Sequence, residues 1–447
     1  MKIIIAGAGS VGIHLARLFT KEKHDVTLID NSQKRLAVVG NFLDIITKQG
    51  ESTSIEVLEE ADIRNADLFV GVTPEESTNM MCCILAHKMG AKKTVARIDN
   101  GDYLTPENRE FFKSLGVDSM VYPEGLVGKE INHLIERPWV RHWWEMENGQ
   151  LIVLGVKIRK GVALIDKPIQ EICGPNEPFH ITAIKRAGET IIPHGKDILR
   201  TNDLAFITTT PQYVEYVQNV VGKGGYSRAR NVMYMGGSDT ALCSINSLPP
   251  EIHAKVFESD SKRVEEMEKL IRNKNVMLFN EDARGFDKLE EENIRGHQVF
   301  VAATDNSETN ILACLAAQRM GVQKTIAQVE NSDYIPLAES FDVGSIINKR
   351  TFAAGQIYRM MLRSDVETVK ALNIAAAEVA VYHVKENSQV TQKPVWQLNL
   401  PDYANFAGLV RGGRGFLVNG RTTFLPGDTV VVFCIEGYLK KLERFFK

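Results

Sequence analysis

The chain has 447 residues, more than one hydrophobic core normally supports, so several domains of about 100–150 residues each are expected. With 44% hydrophobic and 24% charged residues it has the composition of an ordinary globular protein, which excludes the disordered and fibrous classes. A formal charge of −3, with no dense Lys/Arg stripe, excludes a dominant nucleic-acid footprint.

In chain order, Met1-Lys2-Ile3-Ile4-Ile5-Ala6-Gly7 predicts a short apolar strand that runs straight into a glycine turn, without a signal peptide's apolar region or cleavage site. Next comes Gly7-Ala8-Gly9-Ser10-Val11-Gly12, a G-x-G-x-x-G motif set between that strand and a helix starting near Val11. The first glycine permits a tight turn, the second lets backbone N–H groups approach a pyrophosphate, and the third lets helix and strand pack closely. Asp30 closes the second predicted strand, 25–30, where a carboxylate accepts hydrogen bonds from the hydroxyls of an adenosine ribose and disfavours a 2′-phosphate. The pattern therefore predicts NAD(H) or an adenine nucleotide. Thr73 and Pro74 close the fourth strand at the expected topological switch point, and Arg97 ends the next strand within reach of a phosphate.

Leu126, Val127, Ile131, Leu134 and Ile135 share one helical face, and Pro138 ends that helix. Two readings stay open for it: a connector packed on its own domain, or an exposed apolar stripe for a partner subunit. Residues 351–362 are its counterpart.

The chain also repeats. Thr73, Thr78-Asn79, Met89-Gly90, Lys93-Thr94 and Asp102-Tyr103 recur 231 positions later as Thr304, Thr309-Asn310, Met320-Gly321, Lys324-Thr325 and Asp333-Tyr334. Behind each copy lies a smaller segment with strands expected at 151–158 and 204–208, then at 378–384 and 429–434, each second strand followed by a helix. Arg186 to Asp203 spans the same distance as Arg411 to Asp428. The expected fold class is α/β: two doubly wound, Rossmann-like parallel-sheet domains, 1–136 and 229–360, each followed by a small α+β domain, 137–228 and 361–447.

The second glycine loop departs from the first. Gly236-Gly237-Ser238-Asp239-Thr240-Ala241 keeps the first glycine but sets Asp239 beside the pyrophosphate position, with Glu258 where a ribose would sit. A like-charge contact at about 4 Å costs roughly 1–4 kcal/mol, against roughly 0.3–1 kcal/mol gained from a helix dipole. Loss of binding at Gly236 and Glu258 is the expectation.

No run approaches the roughly 18–20 apolar residues of a membrane span, which predicts a soluble chain. Six cysteines, Cys82, Cys83, Cys173, Cys243, Cys314 and Cys434, lack C-x-x-C spacing and read as reduced thiols. Neither catalytic residues nor a metal-ligand cluster can be picked out: the histidines are scattered, and there is no G-x-S-x-G motif or P-loop lysine. A duplicated cradle without an acid or base for chemistry predicts sensing, with an NAD-dependent oxidoreductase as the alternative.

These residues together resemble the TrkA-type potassium-uptake regulators, whose halves are RCK (regulator of K⁺ conductance) domains each followed by a TrkA-C domain. The resemblance spans essentially the whole chain and rests on the first glycine loop, Asp30, Val72-Thr73, Thr78-Asn79, Arg97, segment 123–138, Leu425-Pro426-Gly427-Asp428 and the tandem order. It implies a non-enzymatic protein peripheral to the cytoplasmic face of the membrane, bound to a potassium-translocating membrane subunit of the TrkH/TrkG type and self-associated as a dimer or tetramer. It further implies NAD(H) as ligand, with ATP or ADP in some members, and no nucleic acid. Carried onto this chain, the contacts are Gly7, Ala8, Gly9, Ser10, Val11, Gly12, Asp30, Thr73, Pro74 and Arg97. Ligand binding is then expected to act through the connecting helix, 125–136. Departures are the glycine-poor second loop and Leu199-Arg200-Thr201-Asn202-Asp203 in the first small domain.

Overall fold

The computed structural model describes residues 1–447 except 175, 363–367, 373–376, 436–437 and 447, so parts of the expected segment 361–447 lie outside the described residues. The N-terminal apolar run forms β1 (Lys2–Ala6), followed by β2 (Asp25–Asp30), β3 (Ile46–Gln49), β4 (Leu68–Gly71), β5 (Thr94–Arg97) and β6 (Ser119–Val121). These six strands make one parallel sheet in the order β3-β2-β1-β4-β5-β6, so the chain reverses its winding between β1 and β4. Helices cover the sheet, which is why Ile3, Ile4 and Ile5 are all fully buried and the strand reads as continuous rather than alternating.

After β6 comes the first small domain, with β7 (His142–Met146), β8 (Leu151–Lys157), β9 (Phe179–Arg186), β10 (Glu189–Ile191) and β11 (Leu204–Thr209) in the antiparallel order β10-β9-β11-β8-β7. The second half repeats the plan. Strands β12 (Asn231–Met235), β13 (His253–Glu258), β14 (Val276–Asn280), β15 (Val299–Ala302), β16 (Lys324–Gln328) and β17 (Ser345–Ile347) form a parallel sheet in the order β14-β13-β12-β15-β16-β17. Strands β18 (Thr368–Leu372), β19 (Ala377–His383), β20 (Ala404–Arg411), β21 (Arg414–Leu417) and β22 (Thr429–Ile435) form the second antiparallel sheet, in the order β18-β19-β22-β20-β21. The α/β class and its two parallel and two antiparallel sheets thus follow the expected pattern, although the smaller domains carry five strands each where periodicity had marked two. No helix among the described residues is long and apolar enough to cross a membrane.

Packing divides the chain into two compact units that do not follow its order: Met1–Val127 with Asn348–Arg363, and Gly128–Ile347 with Ser364–Lys447. In the first unit, the helix Lys349–Leu362 from the second half packs on the helix Ser10–Lys21, with the buried rings of Phe19 and Tyr358 5.9 Å apart. In the second unit, the later turns of the helix Pro123–Glu136 lie on the helix Asp239–Asn246. A Cβ on Gly128 would sit 2.8 Å from the Ser244 amide nitrogen, so only glycine allows that approach. Asn132 Nδ2 donates to the Ser244 carbonyl at 3.0 Å, and Asn132 Oδ1 accepts from Ser244 Oγ at 2.6 Å. Ile131, Leu134 and Ile135 are buried, so the apolar stripe is not a free surface, and Gly128 and Asn132 of the same helix lie against the first helix of the other repeat.

The small domains also pack together within the second unit, through Leu151, Val153 and Phe206 on one sheet and Val379, Val431 and Phe433 on the other. Each domain carries the same polar clasp. Arg186 donates Nε and Nη2 to the two carboxylate oxygens of Asp203 at 2.8 and 2.7 Å, and Arg411 does the same to Asp428 at 2.7 Å for both bonds. The equal spacing read in the sequence is this bidentate pair. Asp203 is 1% exposed and also accepts from the Arg200 amide. Replacing Asp203 with Ala strips partners from Arg186 and the turn at once and should lower stability by about 3 kcal/mol. Calorimetric unfolding checks this, and an unchanged transition would refute it.

Candidate functional site

Where β1 ends, Gly7 takes φ +111° and donates its amide to the Ile29 carbonyl at 2.8 Å. A Cβ on Gly12 would fall 1.9 Å from the Gly7 carbonyl oxygen, so the third glycine is required for helix and turn to meet. Gly9 differs: a Cβ there meets nothing within 4 Å, and Gly9 caps the helix Ser10–Lys21 without a side-chain hydrogen bond. The first-turn amides, from Gly9 through Gly12, have no carbonyl of their own helix to bond, and they lie at the point where the sheet reverses its winding. Ala8 and Val11 are buried beneath the loop, while Ser10 is exposed.

Asp30, 8% exposed, stands under this turn: Oδ2 accepts from the Ala8 amide at 2.7 Å and Oδ1 from the Ser32 amide at 2.8 Å. The expected ribose acceptor is therefore also the loop's anchor, and an ionised carboxylate with about four lone-pair positions retains capacity for further donors. Arg35 Nη1 lies 3.7 Å from Oδ2 on a largely exposed side chain.

Opposite, at the end of β4, Asn79 organises the rim. Its Oδ1 accepts from the Thr73 amide at 2.7 Å and from Thr73 Oγ1 at 2.8 Å, while Nδ2 donates to the carbonyls of Thr73 and Arg97, both at 3.0 Å. Asn79 is 1% exposed and joins the ends of β4 and β5; Pro74 stays exposed at the edge. Arg97 Nη2 reaches Asp99 at 3.1 Å and Glu124 at 3.9 Å, and its buried Nε has no partner among the described residues. Sequence reasoning had not found Glu124 or Lys349, whose Nζ lies 3.6 Å from Glu124 Oε1. An acidic residue just after Pro123 reads as an ordinary first-turn helix charge, so nothing in its neighbourhood marked it.

The second cradle keeps the backbone and changes what fills it. Gly236, at φ +96°, donates to the Phe257 carbonyl at 2.8 Å, and Glu258 accepts from the Gly237 and Asp260 amides at 2.7 and 2.8 Å. The Asn79 clasp recurs at Asn310, which accepts from the Thr304 amide at 3.1 Å. Here, however, Ser238 caps its own helix by accepting from the Ala241 amide, and Asp239 binds Arg263 Nη2 at 2.6 Å. Arg263 also donates Nε to the Gly237 carbonyl at 2.7 Å. Burial works against the Arg263 charge, but the Asp239 and Glu266 carboxylates outweigh it and hold its pKa above the ordinary value. The place of Arg97 is taken by the buried Gln328, whose amide nitrogen and oxygen have no partner among the described residues. One cradle is open at its helix terminus, and the other holds an internal ion pair.

The TrkA-N domain family matches residues 3–123 and 236–349, which are the two parallel-sheet regions. Over its whole length the chain is 28% identical to a Trk system potassium uptake protein TrkA homolog 1 from Methanosarcina mazei, covering 100% of both chains. It is 29% identical to the Trk system potassium uptake protein TrkA of Vibrio alginolyticus, covering 100% of this chain and 99% of the other. Among solved structures, the GsuK channel bound to NAD superposes with a TM-score of 0.62 at 12% identity, over 100% of this chain and 78% of that one. The GsuK RCK domain gives 0.61 at 12% identity, over 100% and 94%. At such identities these two structures speak for the fold alone.

The glycines separate cleanly by experiment. Gly12→Ala forces a methyl into the Gly7 carbonyl and should destabilise by about 1–3 kcal/mol, whereas Gly9→Ala should stay within about 0.5 kcal/mol of the parent. Thermal unfolding of both variants is the check; equal effects would contradict the geometry.

Proposed function

This chain belongs to the TrkA-N domain family, with one copy of the domain in each half, and on that premise we propose that it is a cytoplasmic nucleotide-binding regulatory subunit of a potassium uptake system. It acts from the inner face of the membrane, as a dimer or tetramer, on a separate potassium-translocating subunit of the TrkH/TrkG type. Potassium uptake comes from the names of its relatives, and the sensing role rests on one observation: the open first cradle, with uncapped helix amides above an anchored carboxylate.

The residues fit a dinucleotide. The open space at Gly9 suits a pyrophosphate, and the amides of Gly9 through Gly12 would hold its charge at the helix terminus. Asp30 would accept from the ribose hydroxyls, which favours NAD(H) over a 2′-phosphorylated cofactor and leaves ATP or ADP as ligands of the same adenosine and phosphate chemistry. Thr73 and Pro74 form the opposite rim, and Arg97 offers a cation. Gly236 and Glu258 shape the second turn, but Asp239 and Arg263 occupy its anion position, so we assign one nucleotide to each chain.

When bound, the nucleotide supplies binding energy rather than covalent chemistry, and it shifts the protein only by its differential affinity for two arrangements. A phosphate drawn to Arg97 competes with Glu124, which also faces Lys349 and sits in the first turn of the helix Pro123–Glu136. Helix placement is thereby linked to occupancy, and a coupling of about 1–3 kcal/mol suffices for a 5- to 150-fold effect.

Calorimetric titration with NADH, NAD⁺, ATP and ADP tests the proposal. Binding of one equivalent per chain is expected, weakened about tenfold or more by Asp30→Ala and by Gly9→Val, and unaffected by Glu258→Ala. Failure of all four ligands to bind would overturn the sensor reading, and a second equivalent lost with Glu258→Ala would overturn the single-site assignment.

A further inference from the structure

Within the second unit, the junction of the first small sheet and the second parallel sheet gathers cations from stretches far apart in the chain. Arg141 precedes β7, Lys157 and Arg159 lie at the end of β8, Lys223 belongs to the link before β12, and Lys324 opens β16. All five line a cavity of about 180 Å³. Through Arg141, Lys157 and Arg159 it adjoins a larger one of about 740 Å³.

The nearby carboxylates, Asp342, Glu339 and Glu130, are fewer than the cations. Asp342 pairs with Arg141, at 2.9 Å, and with Arg159, while Glu339 is taken by Lys185 at 2.7 Å. Lys157, Lys223 and Lys324 have no carboxylate within ion-pair distance among the described residues. Lys324 is 3% exposed and donates only to neutral oxygens, the Val140 carbonyl and Ser345 Oγ. Its counterpart in the first repeat, Lys93, is exposed, so the burial belongs to this junction and not to the strand position. Arg141 Nη1 is buried with no hydrogen-bond partner among the described residues.

Burying a cation without an anion costs several kcal/mol, and proteins normally avoid it by pairing. Deprotonation is a way out for lysine but not for arginine, so Arg141 and Arg159 keep two charges against the one carboxylate of Asp342. The positive field is felt by its neighbours. Burial first, then Lys324, Lys185 and Arg141, hold the His142 imidazole down to about 3, and burial with Arg159 and Arg141 holds Lys223 to about 8.

We propose that this cavity binds a phosphate-type oxyanion carrying two or more negative charges, held by the unpartnered face of Arg141 together with Lys157, Lys223 and Lys324. The site is separate from both glycine cradles and does not depend on the proposed function. Its ligand would join the first small domain to the second parallel-sheet domain.

The experiment uses the full chain carrying Asp30→Ala, which disables the first cradle, and titrates it with tripolyphosphate and with ATP. Tripolyphosphate should bind one equivalent per chain as well as it binds the parent, raise the melting temperature, and bind less tightly as salt is added. Lys157→Gln with Lys223→Gln should weaken it about tenfold or more, the loss expected for one charge-assisted hydrogen bond or better. Arg159→Gln, on a side chain 42% exposed, should act in the same direction without endangering the fold. If ATP weakens in parallel, the oxyanion is a nucleotide tail; if only tripolyphosphate responds, it is a free polyphosphate, and both results support the site. No binding, binding indifferent to these lysines and Arg159, or binding lost with Asp30→Ala alone would overturn it.

Discussion

A carboxylate at the end of the second strand of each parallel sheet holds the turn on which the rest of the site depends. The glycine at positive φ points the following amide inward, where it would be a buried donor without a partner, a deficit of about 1–3 kcal/mol. Asp30 accepts that amide in the first copy and Glu258 in the second, each bonding the next turn with its other oxygen. With the turn fixed, Gly12 can press against Gly7, the helix starts where it does, and its first amides face the crevice between β1 and β4. The same carboxylates thus belong to the architecture before they belong to any ligand.

At the glycine turns the two copies keep the same backbone and diverge in polar side chains. Arg35 and Arg263 follow their anchoring carboxylates at the same spacing, yet one is largely solvent-exposed and the other is drawn across the loop by Asp239. Lys93 is exposed and Lys324 is buried. The Asn79 and Asn310 clasps, the Arg186 and Arg411 pairs and the strand orders are retained. Glycine conformations and apolar burial set the frame, and the polar side chains placed on it differ between the two crevices.

How much of this could be read beforehand varied with the range of the interaction. The glycine turn, the second-strand carboxylate and the doubly wound pattern are local signals, legible within about 30 residues. The equal spacing of Arg186 with Asp203 and Arg411 with Asp428 was visible, though not its bidentate geometry. Periodicity placed Ile131, Leu134 and Ile135 on one helical face but carries no information about which surface covers that face, so the exchange of helices between repeats was not legible. Arg263, Glu124 and the cations at 141, 157, 159, 223 and 324 come together only after folding, and no window of sequence contains them.

The exchange of helices also bears on how the protein is made. The first unit needs Asn348–Arg363 for completion, although its sheet ends at Val121. At elongation rates of about 5–20 residues per second, that sheet waits on the order of tens of seconds on the ribosome before the helix Lys349–Leu362 emerges to cover it. Until then Phe19 has no Tyr358 ring beside it, so the nascent first domain presents an apolar face to the chaperones and nascent chains around it.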